Sequence, residues 1–109
     1  MIDWERVKEL RGEIGTDDFA EVVEMFMEEA DEAIARLTPS LTAKALEADL
    51  HYLKGAALNL GFIALSALCQ EGERRAAAGS TDVDLDAVHR VYADSRRAFE
   101  TGLIRVLAA

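Results

Sequence analysis

The chain contains 109 residues and has a mass of 11.9 kDa, which is the size of a single domain. Apolar residues make up 50% of the sequence and charged residues 30%, so a buried core is expected and a disordered chain is not. The 12 basic and 21 acidic residues give a net charge of −9, which argues against a nucleic-acid partner and against binding to an anionic membrane.

The sequence carries no targeting or membrane-spanning signal. No run of about 18 apolar residues is present, so no transmembrane helix is predicted. The first residues lack the charged and apolar regions of a signal peptide, and we therefore expect a cytoplasmic protein. The only cysteine, Cys69, cannot form an intramolecular disulfide or a zinc site by itself, and we interpret it as a core residue.

The first two predicted helices precede a break at residues 38–40. A short helix is predicted from about residue 3 to about residue 13, with Asp3 as its N-cap. The second helix begins at N-cap candidates in residues 16–18. Residues 17–32 carry eight acidic residues and no basic residue, which we interpret as a solvated outer face. The apolar residues of this helix recur three and four positions apart and predict a buried stripe: Phe19, Val22, Val23, Phe26, Ala30, Ala33 and Leu37.

Three further helices are predicted after the break, over about residues 42–60, 62–78 and 82–107. Gly61 ends the third helix, and residues 79–81 form the next turn. Each helix has one apolar stripe, in chain order Leu46, Leu50, Leu53, Ala57 and Leu60; then Phe62, Leu65, Leu68, Cys69 and Ala76; then Leu85, Val88, Tyr92, Phe99, Leu103 and Val106.

These helices predict an all-α fold. Because short connections make neighbouring helices run in opposite directions, we expect an antiparallel up-down four-helix bundle with a short extra N-terminal helix. The bundle spans about residues 16–107, and residues 1–109 form one domain. No helix shows an obvious second apolar stripe, so we expect a monomer.

The most informative stretch of the sequence is residues 50–61 on the third helix. At about 100° per residue, His51 points about 130° away from the centre of the apolar stripe and therefore faces solvent. Lys54 and Gly55 follow at spacings of three and four and share its face. Singly, these residues are ordinary. Together they place a solvent-facing imidazole beside a cation and beside a glycine that costs the helix about 1 kcal/mol relative to alanine. This combination suits an imidazole that accepts a phosphoryl group, whose charge of about −2 the lysine would neutralise.

The His-x-x-Lys-Gly pattern that begins at His51, followed by Gly61, resembles the signature of histidine-containing phosphotransfer (HPt) domains of bacterial phosphorelays. In that family a Glu or Gln commonly stands 22 positions after the histidine, and here that residue is Glu73 on the fourth helix. The resemblance extends over about residues 16–107 in the order and lengths of the helices. A departure is Gly72, which stands where the family usually has a large apolar residue.

The resemblance implies a role for each residue of the site. His51 would be the phosphorylated residue, through Nε2. Lys54 would pair with the phosphoryl oxygens, and Gly55 would keep the approach to the ring open. Glu73 would accept a hydrogen bond from Nδ1–H, which selects the tautomer that presents the Nε2 lone pair.

The resemblance also implies partners. Glu47 and Leu58 share the helix face of His51, and Gln70 borders the site from the fourth helix, so we expect all three to contact a partner. The partners would be response-regulator receiver domains and a hybrid sensor histidine kinase. No cofactor is expected on this chain, because the receiver domain would supply magnesium. The sequence itself has no set of metal ligands and no phosphate-binding glycine loop.

The expected function is that of a phosphoryl carrier without kinase activity of its own. Two alternatives stay open: a non-catalytic helical adaptor in which His51 is incidental, and a phosphotransfer domain detached from a chemotaxis-type kinase, which normally continues into further domains. The dimerising part of a sensor kinase is disfavoured, because Tyr52 stands where an acidic residue usually follows the histidine. His89 lacks a Lys-Gly companion, and we interpret it as an ordinary surface or boundary histidine.

Overall fold

The structure is a computed structural model that describes the backbone of residues 1–108 and the side chains of residues 1–106. This part of the chain is helical and contains no strand, which confirms the predicted all-α class; a single backbone bridge joins Ile2 to Phe62. The five helices are α1 (Trp4–Ile14), α2 (Thr16–Arg36), α3 (Ala43–Leu60), α4 (Ile63–Ala77) and α5 (Leu85–Ala108).

The helix ends show which capping predictions were right. Asp3 is the N-cap of α1, where its side chain accepts a hydrogen bond from the Arg6 amide at 3.2 Å. The predicted side-chain cap of α2 was wrong. That helix begins directly after Gly15, whose φ of +97° makes a sharp link to α1 and leaves no side-chain cap. The last helix begins at Leu85 rather than at residue 82, because the Asp84 carboxylate accepts a hydrogen bond from the Ala87 amide at 2.9 Å and so caps the helix there.

The core contains most of the predicted stripes. All five predicted positions of α3 are buried. On α2 the buried face is centred closer to Met27 than predicted, so Val22 and Phe26 are only half-buried while Met27 lies inside. On α5, Leu85, Leu103 and Val106 are half-buried. The side chains that are buried completely or nearly so include Phe19, Leu50, Leu53, Leu60, Phe62, Leu65, Val88 and Phe99.

Helix α1 is attached to the end of α5 through aromatic packing. The Trp4 ring stacks on Phe99 with 5.8 Å between ring centroids, and Phe99 meets Phe62 edge-on at 5.5 Å. Gly102 lies directly under the Trp4 indole and leaves no room for a side chain. The Arg11 guanidinium donates to the Val106 carbonyl at 2.8 Å. The N-terminal helix is therefore part of the packed structure.

Polar contacts attach α5 to α2. His89 Nε2 lies 3.1 Å from the Leu37 carbonyl at the end of α2, which agrees with the prediction of an ordinary surface or boundary histidine. The Tyr92 hydroxyl donates to Asp31, and the Arg96 guanidinium donates to the same carboxylate at 2.6 Å. Burial and the hydrogen bond to Asp31 both raise the pKa of Tyr92, so this hydroxyl stays protonated and acts as a donor.

Helices α3 and α4 are the most extensively packed pair and carry the candidate site. Gly61 connects the two helices with a φ of +74°, and a Cβ there would lie 2.6 Å from the Asp3 carbonyl oxygen. Only glycine suits this turn, both for its backbone conformation and for its space. Within residues 1–108 no helix is long and apolar enough to cross a bilayer.

Candidate functional site

The site begins with His51, near the middle of α3. Its neighbours Leu50 and Leu53 are fully buried, so the helix must turn the imidazole to the opposite side. The His51 side chain is 70% exposed, in agreement with the outward direction predicted from helical geometry. The helix therefore holds the ring on a rigid element while solvent reaches it.

Glu73 on α4 holds one nitrogen of this ring. His51 Nδ1 lies 2.7 Å from Glu73 Oε2, and because the carboxylate can only accept, Nδ1 carries the proton and donates it. His51 Nε2 has no hydrogen-bond partner among the residues that the structure describes. The lone pair on Nε2 is thus directed away from the protein and can meet an electrophile.

Lys54 lies one turn after His51 and reaches the same carboxylate. Its ammonium donates to Glu73 Oε1 at 2.6 Å and to Gln70 Oε1 at 2.9 Å. The Lys54 side chain is only 19% exposed. The structure thus brings His51, Lys54, Gln70 and Glu73 into one hydrogen-bonded cluster across α3 and α4, with a different Glu73 oxygen nearest each of its two partners.

The charge of Glu73 is maintained by this cluster. Burial acts to raise the pKa of the Glu73 carboxyl, but the hydrogen bond from Lys54 and the hydrogen bond from His51 outweigh it, so the pKa lies below its ordinary value of 4.5. Glu73 is therefore ionised at neutral pH. Its negative charge balances the Lys54 cation and can stabilise positive charge that develops on the imidazole.

Gly55 opens the surface beside the ring. A Cβ built at this position meets no atom within 4 Å, so the glycine leaves a gap above the helix and no neighbour fills it. Its carbonyl accepts a hydrogen bond from the Asn59 side chain at 3.1 Å, and Arg6 of α1 donates to Asn59 Oδ1 at 3.1 Å. The contact from Arg6 could not be predicted, because nothing in the pattern of α3 shows that α1 reaches it. Asn59 lies four positions after Gly55 on the same helix, and that spacing is the signal that could have found it.

An apolar groove lies further along α3. Leu58, which is seven positions after His51, is 55% exposed, and Ile63 at the start of α4 is 53% exposed. Both line a groove of about 290 Å³ whose other walls include Phe62 and Ser66. Glu47, on the other side of His51, is half-buried, and the structure places it on α3 without a hydrogen bond to the cluster.

The packing of α4 beneath Glu73 explains why position 72 is a glycine. This glycine is buried, and a Cβ there would lie 2.8 Å from Leu50 Cδ1 and 3.1 Å from Val83 Cγ1. The space that the large side chain typical of the family would need is thus already occupied by α3 and by the segment before α5.

Cys69 lies under the cluster and does not belong to its exposed chemistry. The residue is fully buried, and burial, followed by the nearby charge of Glu73, raises the pKa of its thiol to about 12. A thiol of this kind stays protonated at neutral pH. Cys69 is therefore the core residue that the sequence predicted.

Tyr52 connects the site to α2. Its ring is exposed beside His51, and the Arg36 guanidinium at the end of α2 lies 5.3 Å from the ring centroid. Arg36 also donates to Asp49 at 2.9 Å. No group of three or more His, Cys, Asp or Glu side chains suited to a metal ion occurs in the described part of the chain.

A comparison with models of protein families assigns the chain to a family. The family model of the Hpt domain matches residues 21–109. The chain belongs to the Hpt domain family. Hpt domains carry phosphoryl groups on histidine in phosphorelays, and they are generally carriers rather than kinases. Searches of curated proteins and of solved structures gave no significant match.

The Hpt match does not cover the first 20 residues, and it says nothing about individual side chains. Within this Hpt domain, the hydrogen bond from Lys54 to Gln70 was not predicted, because Gln70 was expected to contact a partner. The two residues are 16 positions apart and lie on different helices, so helical periodicity contains no signal for it. A glutamine three positions before the glutamate on α4 is the only local feature that points to it.

Proposed function

We propose that this Hpt domain accepts a phosphoryl group on His51 from an aspartyl phosphate of one receiver domain and passes it to an aspartate of another. The observation that carries the proposal is that the His51 imidazole is exposed and, among the described residues, is hydrogen-bonded through only one of its nitrogens. The ring is 70% exposed, and its Nδ1–H is bound by Glu73 at 2.7 Å. A ring held in this way presents one nucleophilic nitrogen to a partner.

The transfer step follows from this tautomer. The Nε2 lone pair attacks the phosphorus of the aspartyl phosphate, the N–P bond forms, and the P–O bond to the aspartate breaks to release its carboxylate. Positive charge develops on the ring as the bond forms. The ionised Glu73 carboxylate, 2.7 Å from Nδ1, stabilises that charge and retains the Nδ1 proton. The second transfer is the reverse of this step on another receiver.

Lys54 and Gly55 serve the incoming group. The Lys54 ammonium binds the same carboxylate as the ring, so a movement of its side chain would bring it to the oxygens of a phosphoryl group whose phosphorus is bonded to Nε2. The gap at Gly55 gives the partner's aspartate access to the ring. Because such transfer needs alignment and neutralisation of charge, these two residues supply positioning and a counter-charge.

The docking surface would surround His51. The exposed Leu58 and the groove that it forms with Ile63 supply an apolar contact on the same side of α3. Glu47 stays a predicted contact at the opposite end of this surface. We expect the encounter to be transient and modest in area, since a carrier must release each partner after transfer.

The same proposal includes the remaining expectations from the sequence. Helices α2 to α5 form the antiparallel up-down bundle, with α1 as the extra helix, and residues 1–109 act as one domain. The partners are receiver domains and a hybrid sensor histidine kinase. The receiver domain supplies the magnesium, so that this chain needs no cofactor. The protein acts as a monomer in the cytoplasm.

The proposal is tested by incubating the protein with a receiver domain that carries labelled aspartyl phosphate. We expect acid-labile label on the wild type and on His89→Gln, and none on His51→Gln. Label that persists in His51→Gln would show that the site is wrong. A wild type that takes no label from any receiver domain of the source organism would favour the helical adaptor. Circular dichroism of each variant checks that the fold is retained.

A further inference from the structure

The Lys54 ammonium has two acceptors on α4, and only one of them is charged. Glu73 Oε1 accepts at 2.6 Å and Gln70 Oε1 at 2.9 Å. We propose that Gln70 is a positioning residue, which holds the Lys54 ammonium beside His51 before the phosphoryl group arrives. This inference rests on the proposed function, and it replaces the predicted role of Gln70 as a contact for the partner.

The geometry gives the Lys54 ammonium two points of attachment on α4. Gln70 and Glu73 are three positions apart, so one turn of α4 presents both side chains on the same face toward α3. Lys54 reaches across from α3 and is largely covered, with 19% of its side chain exposed. With two acceptors on one rigid helix, the ammonium is held in one position and is also paired with an opposite charge.

Confinement matters because lysine is flexible. Its four-carbon side chain loses conformational freedom when the ammonium is fixed, and a residue fixed in advance does not lose that freedom again during the reaction. The ammonium that Gln70 supports is already next to the ring that Glu73 binds. The cost of ordering the counter-charge is thus met when the protein folds.

The neutrality of Gln70 is as important as its position. Glu73 alone balances the charge of Lys54. Because it has only this one anionic partner in the described part of the chain, the ammonium can also donate hydrogen bonds to an arriving phosphoryl group of charge about −2. A second carboxylate at position 70 would hold Lys54 more firmly and would repel that group. Glutamine therefore supports the ammonium without competing with the phosphoryl oxygens.

The test is a double-mutant cycle that measures single-turnover transfer from a phosphorylated receiver domain at increasing receiver concentrations. Gln70→Leu should lower the maximal rate about 3- to 10-fold, with the half-saturating receiver concentration unchanged, as expected for loss of a hydrogen bond to a charged group. In a Lys54→Met background, the same substitution should change the rate by less than about 1.5-fold, because Gln70 acts through Lys54. Glu71→Leu, at the next and exposed position of α4, is the matched control and should transfer at the wild-type rate.

Gln70→Glu separates charge from shape, since it keeps the size of the side chain. We expect it to transfer more slowly than Gln70→Leu. A Gln70→Glu variant as fast as the wild type would overturn the inference. So would equal slowing by Gln70→Leu with and without Lys54, or a change confined to the half-saturating concentration. Each of these results leaves wild-type transfer intact, whereas failure of the wild type to accept phosphate would instead reject the proposed function.

Discussion

At the scale of single residues, the proposed transfer depends on how one carboxylate is shared. Glu73 Oε2 binds the imidazole of His51, and Oε1 binds the ammonium of Lys54. In the proposed transfer the two bonds have different roles: one sets the tautomer of the proposed nucleophile, and the other holds a cation beside it. Both depend on Glu73 being ionised, and this makes the cluster sensitive to acid.

Glu73→Gln should reduce the dependence of stability on acid. Because the pKa of Glu73 in the folded protein lies below 4.5, ionised Glu73 stabilises the fold above that pH, and this contribution is lost as the pH falls through the lower folded pKa. Urea unfolding at pH 7 and below pH 4.5 should therefore show a smaller loss of unfolding free energy for Glu73→Gln than for the wild type. Glu24→Gln, which alters an exposed residue of α2, should behave as the wild type. Equal losses in all three proteins would contradict this reading of the cluster.

Gly55→Gln should raise the stability of the fold while it hinders access of the receiver domain to His51. Since no atom lies within 4 Å of a Cβ at this position, the substitution fits the fold, and removal of a glycine from a helix interior should stabilise it by roughly 0.5–1 kcal/mol. The longer side chain should nevertheless block the receiver and slow transfer about tenfold or more. Thermal unfolding and transfer rates measure the two effects. A wild-type transfer rate in this variant would show that the gap at Gly55 has no role in access.

At the scale of the helices, the site depends on the close approach of α3 and α4. Gly72 permits this approach, because Leu50 and Val83 occupy the space where its side chain would lie. The glycine that departs from the family pattern thus leaves Leu50 of α3 room to pack against α4 at the position before Glu73.

Gly72→Leu should therefore destabilise the protein even though it restores a residue typical of the family. Overpacking against Leu50 Cδ1, 2.8 Å from the new Cβ, should cost about 1–3 kcal/mol of unfolding free energy in urea titrations. Gly12→Leu in α1 is the control, because a Cβ there meets nothing within 4 Å, and it should not destabilise the protein. A Gly72→Leu variant as stable as the wild type would refute the packing explanation.

The helices also show what the sequence can and cannot predict. The stripe of α3 and the outward direction of His51 follow from the periodicity of one helix, and both agree with the structure. The bond from Lys54 to Gln70 and the packing around Gly72 depend on how two helices are rotated and offset against each other, which periodicity does not contain. The cap of α2 was missed for a local reason, because Gly15 adopts a positive φ and replaces the expected side-chain cap.

At the scale of the whole molecule, α1 stabilises a fold whose family match begins only at residue 21. Its buried Val7 and Leu10 complete the core, and Trp4 covers the end of α5 by stacking on Phe99. The backbone just before α1 also bonds to the α3–α4 turn, where the Asp3 amide donates to the Gly61 carbonyl at 2.7 Å. We infer that α1 supports the two helices that carry the site.

Leu10→Ala tests this support. Truncation of a buried leucine should lower the unfolding free energy by about 2–5 kcal/mol and should lower the melting temperature. Ile104→Ala removes an apolar side chain that is 72% exposed and should change stability by less than about 0.5 kcal/mol. If the two variants are equally stable, α1 is not part of the cooperative fold.

The central claim is that His51 carries the phosphoryl group on Nε2 while its Nδ1 proton stays with Glu73. The most direct measurement is nitrogen-15 NMR of the histidine rings, before and after phosphorylation with the small donor phosphoramidate. The account predicts a protonated Nδ1 in both states and coupling of phosphorus to Nε2 of His51 alone. Phosphorus on Nδ1 of His51, or on His89, would contradict it.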